Sequence, residues 1–260
     1  MKDIKLIALD IDGTLIDNNL EVSKNTKNII EELKGRGIEV ALVSGRAHAA
    51  AKLIMDQFDI DLPIISHNGG KVTLANGEEI KNEKFPIACV EEVLEYAREH
   101  DLDAIAYIDD LFYTTVNSRE NEELVEKYGV DFKVVDSLKD SMIDEINLLL
   151  LYLNDEVTEE DVRKFESLEC ETTNSIPNTL EFIPEGISKA EGLKSLKNHL
   201  GIKRENILAV GNSLNDLSML EFAGEGIAMK NSDKLLLENF HRVSEFTNNE
   251  EGVYRILKEL

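Results

Sequence analysis

Hydrophobic and polar positions alternate along the chain in blocks rather than singly. Residues 5–11 form an apolar run interrupted at Asp10, the pattern of a strand covered on both faces, as in a parallel sheet. A polar stretch follows, and Ser23 then stands as a candidate N-cap for a helix over residues 24–34. In that helix Ile29, Ile30 and Leu33 share one face, and Gly35 and Gly37 mark its end. The rhythm repeats with a strand over 38–43, a helix over 47–58 and a strand over 63–66. Strands alternating with helices at this spacing predict a parallel α/β sheet.

After Asn68-Gly69-Gly70 the rhythm changes. Short extended pieces at 71–74 and 79–81 flank Asn76-Gly77, a hairpin signal. From about residue 83 an α+β unit is expected. It has helices over 90–100, 119–128 and 159–165, and strands over 104–108, 112–116, 132–135, 145–153, 168–173 and 179–183. Tyr107, Phe112, Tyr113 and Tyr128 in this stretch are expected to pack its core. Beyond Gly186 the first pattern returns, with a helix over 189–200, a strand over 207–210, a helix over 214–222, a strand over 226–229 and closing helices. The simplest account is a doubly wound α/β domain, residues 1–82 and 186–260, with an α+β domain inserted over 83–185.

Composition narrows the partners. The chain has 260 residues, and 28 lysines and arginines against 52 aspartates and glutamates leave a net charge of −24, which disfavours nucleic acid and anionic membrane surfaces. Cys89 and Cys170 are the only cysteines and show no metal or disulfide spacing, so both are expected to be reduced thiols. The first apolar run is too short for a secretory core, and the run at 148–153 is far below the roughly 20 residues of a membrane helix. A cytoplasmic protein is expected. The five histidines show no ligand spacing, and the acidic runs at 120–126 and 156–161 are expected to be solvated helix faces.

In an open α/β sheet, ligands bind beyond the carboxyl ends of the strands. Those ends carry Asp10-Ile11-Asp12-Gly13-Thr14, Ser44-Gly45-Arg46, Asn68-Gly69-Gly70 and Gly211-Asn212-Ser213-Leu214-Asn215-Asp216, and Lys189 opens the first helix after the insertion. Asp10 and Asp12 lie two apart on an expected extended chain, which would put both carboxylates on one side, with Gly13 allowing a sharp turn. Two close carboxylates call for a hard divalent cation, and Mg²⁺ would also neutralise a bound phosphate. Ser44 can donate to a phosphate oxygen and Lys189 can balance the anionic charge. The combination reads as a phosphoryl-transfer site.

These segments resemble the haloacid dehalogenase superfamily of phosphatases. Asp10 to Thr14 matches its DxDGT signature, and Ser44, Lys189 and the segment Gly211 to Asp216 match its other motifs in order. DxDGT alone would arise by chance in such a chain about twice in a thousand, so four ordered motifs are far more specific. The roughly 100-residue insertion, Ser44-Gly45-Arg46, Asn68-Gly69-Gly70, Gly186 to Lys189 and the tail Asn248 to Val253 are similar to the Cof-type branch, whose large α/β cap chooses the substrate.

The resemblance implies a two-step mechanism. Asp10 attacks phosphorus to form an aspartyl-phosphate, and Asp12 protonates the leaving alkoxide and then activates water. It implies that Mg²⁺ is held by Asp10, the Asp12 carbonyl, Asn212 and Asp216, and that Thr14, Ser44, Gly45, Arg46, Asn68, Lys189 and Asn215 bind the phosphorylated substrate. One position departs from the pattern: Asn212 stands where the family has a metal-ligating Asp, and a raised Mg²⁺ requirement is expected. The expected substrate is a small phosphorylated metabolite. The alternative is a weakly catalytic phosphometabolite-binding protein. A phosphotransferase or mutase is disfavoured because residues 16–22 leave no room for a small helical cap, and no P-loop motif occurs. Oligomeric state is left open between monomer and homodimer.

Overall fold

The computed structural model describes residues 3–108, 111–116, 119, 122, 125, 131–138, 145–173 and 178–260. The chain forms two compact units, one of Met1–Arg46, Ala51–Lys81 and Ser188–Leu260, the other of Ala47–Ala50 and Asn82–Ile187.

The first unit is built on a seven-stranded sheet. Its strands are β1 (Leu6–Asp10), β2 (Glu39–Val43), β3 (Ile64–Ser66), β4 (Lys71–Thr73), β5 (Glu79–Asn82), β12 (Ile207–Gly211) and β13 (Glu225–Ala228), in the order β13-β12-β1-β2-β3-β4-β5. β13, β12, β1, β2 and β3 run parallel, and β4 pairs antiparallel with β3. Alternate residues of each strand face opposite sides, so a parallel strand must be apolar on both. Ile7, Leu9, Val40 and Leu42 pack with Ile30 and Leu33 of α1 (Lys24–Gly35) and Ile54 of α2 (His48–Met55). Leu6, Ala8, Ala41 and Val43 pack on the other face with Leu193, Leu196, Met219 and Leu220. Ser23 caps α1 by accepting from Thr26 N–H at 3.2 Å.

From β1 the chain proceeds to β2 and β3 on one side, while β12 lies on the other side of β1. The loops leaving β1 and β12 therefore diverge, which opens a crevice at their carboxyl ends.

The second unit contains a six-stranded sheet in the order β10-β11-β9-β6-β7-β8. These are β6 (Ala104–Ile108), β7 (Leu111–Thr114), β8 (Phe132–Val134), β9 (Leu148–Tyr152), β10 (Cys170–Thr173) and β11 (Thr179–Pro184). All its pairs are antiparallel except β7 with β8. Val90, Val93 and Ala97 of α3 (Ile87–Glu99) pack on Leu149, Leu151 and Phe182. Tyr107, Phe112 and Tyr113 are buried, as their aromatic character predicts. The expected helix over 119–128, the acidic run at 120–126 and Tyr128 lie largely outside the described residues.

Several boundaries differ from the pattern-based expectation. β9 begins at Leu148 rather than 145, and β7 stops at Thr114, whose hydroxyl accepts from the Val116 N–H at 3.2 Å and turns the chain. The expected helix over 214–222 divides into a tight turn, Leu214–Asp216, and a helix, Leu217–Phe222, because Asp216 bonds back to the loop's own N–H groups. Among the described residues no helix is long and apolar enough to cross a membrane.

Candidate active site

The site in the first unit is assembled from strand ends that are distant in sequence. β1 ends at Asp10, one residue earlier than expected, and Ile11–Leu15 form a tight turn closed by Ile16 N–H donating to Ile11 O at 3.2 Å. Gly13 makes that turn possible with φ of 73°, in the left-handed region. Asp12 lies past the end of β1 but keeps extended backbone angles, φ −78° and ψ 121°. Its carboxylate is paired with Arg46, which donates from Nε at 2.7 Å and from Nη2 at 2.6 Å. The Arg46 side chain is 6% exposed and that of Asp12 51%, so a fixed guanidinium holds a carboxylate that still reaches solvent.

Asp10 is buried, and its Oδ1 accepts from Lys189 Nζ at 2.7 Å. Lys189 opens the helix Lys189–His199, which Ser188 caps, and is itself buried. Its ammonium also donates to Asp216 Oδ1 at 2.6 Å and to Asn215 Oδ1 at 3.4 Å. The other Asp216 oxygen accepts the backbone N–H groups of Asn212 at 2.8 Å and Ser213 at 2.9 Å. Gly211 is required for this loop, because a Cβ there would lie 2.5 Å from the Asp216 carboxyl carbon.

One ammonium between two buried carboxylates leaves an excess of negative charge. Burial, reinforced by the Asp216 carboxylate, raises Asp10 to about 7 from its ordinary 3.8, against the opposing pull of Lys189. For Lys189 burial acts downward, but the Asp10 and Asp216 carboxylates outweigh it and hold the ammonium above its ordinary value.

Ser44, at the end of β2, is buried, and its Oγ accepts from Arg46 N–H at 3.1 Å. The β3 loop is laced to it: Asn68 N–H donates to Ser44 O at 3.1 Å and His67 N–H to Arg46 O at 2.9 Å. His67 and Asn68 both adopt positive φ, 49° and 51°, a costly conformation for side-chain-bearing residues that is retained where a site is being shaped. Asn215 Nδ2 donates to Asn68 Oδ1 at 3.1 Å, joining this loop to the Lys189 cluster. Gly45 lies close against the same side chain, since a Cβ there would be 3.1 Å from Asn68 Oδ1.

Asn212 projects into the β1 turn. Its carboxamide has two orientations related by a half-turn. In one, Oδ1 accepts from the Thr14 hydroxyl at 2.8 Å and Nδ2 donates to Ser213 Oγ at 3.3 Å. In the other, Nδ2 donates to the Asp12 carbonyl oxygen at 2.6 Å, to Asp10 Oδ2 at 3.0 Å and to Thr14 Oγ1 at 2.8 Å. Without a cation the first orientation sets an acceptor against acceptors, so the hydrogen-bond network selects the second.

With Oδ1 inward, one carboxylate oxygen, one backbone carbonyl and one carboxamide oxygen converge. All three are hard donors, which suits Mg²⁺. Among the described residues no three or more His, Cys, Asp or Glu side chains form a metal-holding group.

Two supporting residues were not singled out from the sequence. Asn231 Nδ2 donates to Gly13 O at 2.7 Å, and Asp233 accepts from Leu214 N–H at 2.8 Å. Both follow β13, where the strand-end rule that found the other segments also applies. From the tail, Asn248 Nδ2 donates to Ile16 O at 2.9 Å and closes the turn from behind.

Comparison with known proteins agrees with this arrangement. A family model described as haloacid dehalogenase-like hydrolase matches residues 7–257. The 5-amino-6-(5-phospho-D-ribitylamino)uracil phosphatase YitU of Bacillus subtilis is 28% identical, with 98% of this chain and 96% of that protein covered. Phosphatase YwpJ of the same organism is 30% identical, with coverages of 99% and 100%. The crystal structure of TM0651 from Thermotoga maritima superposes with a TM-score of 0.86 at 29% identity, covering 99% of this chain and 97% of its own. Sequence, fold and strand-end chemistry together place the chain in the haloacid dehalogenase-like hydrolases, as a Cof-type phosphatase.

Proposed function

We propose that the protein hydrolyses a small phosphomonoester, a sugar phosphate or a phosphorylated cofactor, with Mg²⁺ and through an aspartyl-phosphate on Asp10. The observation that carries this reading is the buried Asp10–Lys189–Asp216 cluster, a desolvated carboxylate held beside a fixed ammonium at the crevice of the sheet. Asp10, the Asp12 carbonyl oxygen and Asn212, with the Asp216 charge nearby, would hold Mg²⁺, which when bound would supply the positive charge that lets a phosphate dianion approach an aspartate.

The chain's own groups then have distinct tasks. Lys189 favours the ionised form of Asp10 and donates to the phosphoryl oxygens, while the Ser44 hydroxyl donates to the same group and the Asn68–Asn215 pair fixes the wall beside it. Oδ1 of Asp10 forms the new bond to phosphorus as the bond to the leaving oxygen breaks, and protonated Asp12 gives its proton to that alkoxide. In the second step Asp12 takes a proton from water, the water oxygen bonds to phosphorus, and the acyl-phosphate bond breaks to return the Asp10 carboxylate and free phosphate. Arg46 donates to both Asp12 oxygens and so orients the ionised carboxylate; one of these bonds opens when Asp12 carries the proton.

Choice of leaving group is assigned to the second unit. A phosphorylated ribityl chain, as in the name of YitU, falls within the substrate class. The net charge of −24 argues against nucleic acid and membrane partners. A second reading, phosphometabolite binding with little turnover, is favoured by one feature, the neutral Asn212. Phosphate release from an aryl phosphate and a panel of phosphorylated sugars and cofactors, in Mg²⁺ or EDTA, separates the two. Release that needs Mg²⁺ and disappears in Asp10→Asn supports hydrolysis; binding without release at any Mg²⁺ concentration supports the second reading.

A further inference from the structure

We propose that the Asn212 carboxamide is a built-in occupant of the cation position. In the metal-free protein its Nδ2 group bridges Asp10 Oδ2 and the Asp12 carbonyl oxygen, and a cation enters only when the amide turns over and presents Oδ1. This rests on the assignment of a cation to the site made above.

Three observations carry it. Nδ2 has contacts of 3.0 Å to Asp10 Oδ2 and 2.6 Å to Asp12 O, the two oxygens that would otherwise face a cation, so a neutral donor relieves the same repulsion. Thr14 serves both orientations, because its hydroxyl accepts from Nδ2 at 2.8 Å in one and donates to Oδ1 at 2.8 Å in the other. The Asn212 backbone is fixed by its N–H donating to Asp216 at 2.8 Å and its carbonyl accepting from Asp233 N–H at 2.9 Å, which confines any exchange to the side chain.

The element is therefore bistable, with metal-free and metal-bound forms that differ by an amide half-turn. An aspartate at 212 has no N–H to bridge with and would instead add a third carboxylate beside Asp10 and Asp216. Asn212 accordingly makes the metal-free core self-sufficient at the expense of cation affinity.

The test uses the whole chain, with wild type, Asn212→Asp and Asn212→Ala compared in EDTA and in Mg²⁺. In side-chain amide NMR, the Asn212 pair, identified by its loss in the variants, is protected from exchange in EDTA and shifts when Mg²⁺ is added. In thermal melts both variants are less stable than wild type in EDTA. Mg²⁺ raises the midpoint of Asn212→Asp more than that of wild type, and calorimetry gives Asn212→Asp a Mg²⁺ Kd at least about tenfold tighter. Wild type that binds Mg²⁺ with its Asn212 amide signals unchanged, or variants as stable as wild type in EDTA, would overturn the inference and leave the phosphatase reading standing. No response to Mg²⁺ in either wild type or Asn212→Asp would remove the cation assignment and the inference together.

Discussion

The charge imbalance around Lys189 makes a quantitative prediction for Asp10→Asn in the metal-free protein. Asp10 titrates at about 7 in the fold because burial and Asp216 oppose its ionisation. Its folded value lies above its unfolded value, so its contribution to stability is fully present below the unfolded value and is lost as pH rises through the folded one. With values of 3.8 and about 7 and about 1.36 kcal/mol per pH unit, ionising Asp10 costs the fold at most about 2 kcal/mol near pH 5 and about 4 kcal/mol near pH 8. Asn at position 10 carries no such cost and leaves Lys189 matched by Asp216 alone. The stability difference, variant minus wild type, should therefore move in favour of the variant by about 2–3 kcal/mol between those two pH values. Urea unfolding of both proteins in EDTA, across that range, measures it. Saturating Mg²⁺ should flatten the wild-type dependence, since a cation at Asp10 offsets the same charge. Parallel pH profiles for the two proteins in EDTA would refute the reasoning.

Other perturbations test separate parts of the site. Lys189→Met strands two buried carboxylates and is expected to cost about 3–5 kcal/mol near neutral pH, with partial recovery in the double variant carrying Asp10→Asn; a loss below about 1 kcal/mol would contradict the buried pairing. Arg46→Met should lower kcat by about 10- to 100-fold with a smaller change in KM, because Asp12 loses its orientation, and steady-state kinetics that show only a KM effect would speak against a positioning role. Gly13→Ala forces a side chain into a left-handed turn and against Asn212, so thermal melts should show a loss of about 1–3 kcal/mol; wild-type stability would mean the turn has another conformation available.

The strand ends were legible because a parallel strand must be apolar on both faces, so a charged residue such as Asp10 or a polar run such as 211–216 stands out where the strand stops. Lys189 and Asn215 were legible only through their motif matches, since nothing local ties residue 189 to residue 10. That meeting depends on β12 lying beside β1, a sheet order that periodicity does not encode. The partner of Asp12 was not legible, because Arg46 follows a different strand and nothing local ties residue 46 to residue 12. The left-handed His67–Asn68 pair was hidden for a similar reason: neither is glycine, and their conformation is imposed by hydrogen bonds to Ser44 and Arg46. Asn231 and Asp233 were within reach of the strand-end argument, which simply has to be carried to β13.

The central claim is that Asp10 is the nucleophile. Rapid acid quenching during turnover of a phosphomonoester with Mg²⁺, followed by proteolysis and mass spectrometry, tests it directly. A phosphoryl group on the peptide carrying Asp10, accumulating when Asp12 is replaced by Ala and absent in Asp10→Asn, is the predicted result. Continued phosphate release by Asp10→Asn, or a phosphoryl group found on another residue, would contradict the account.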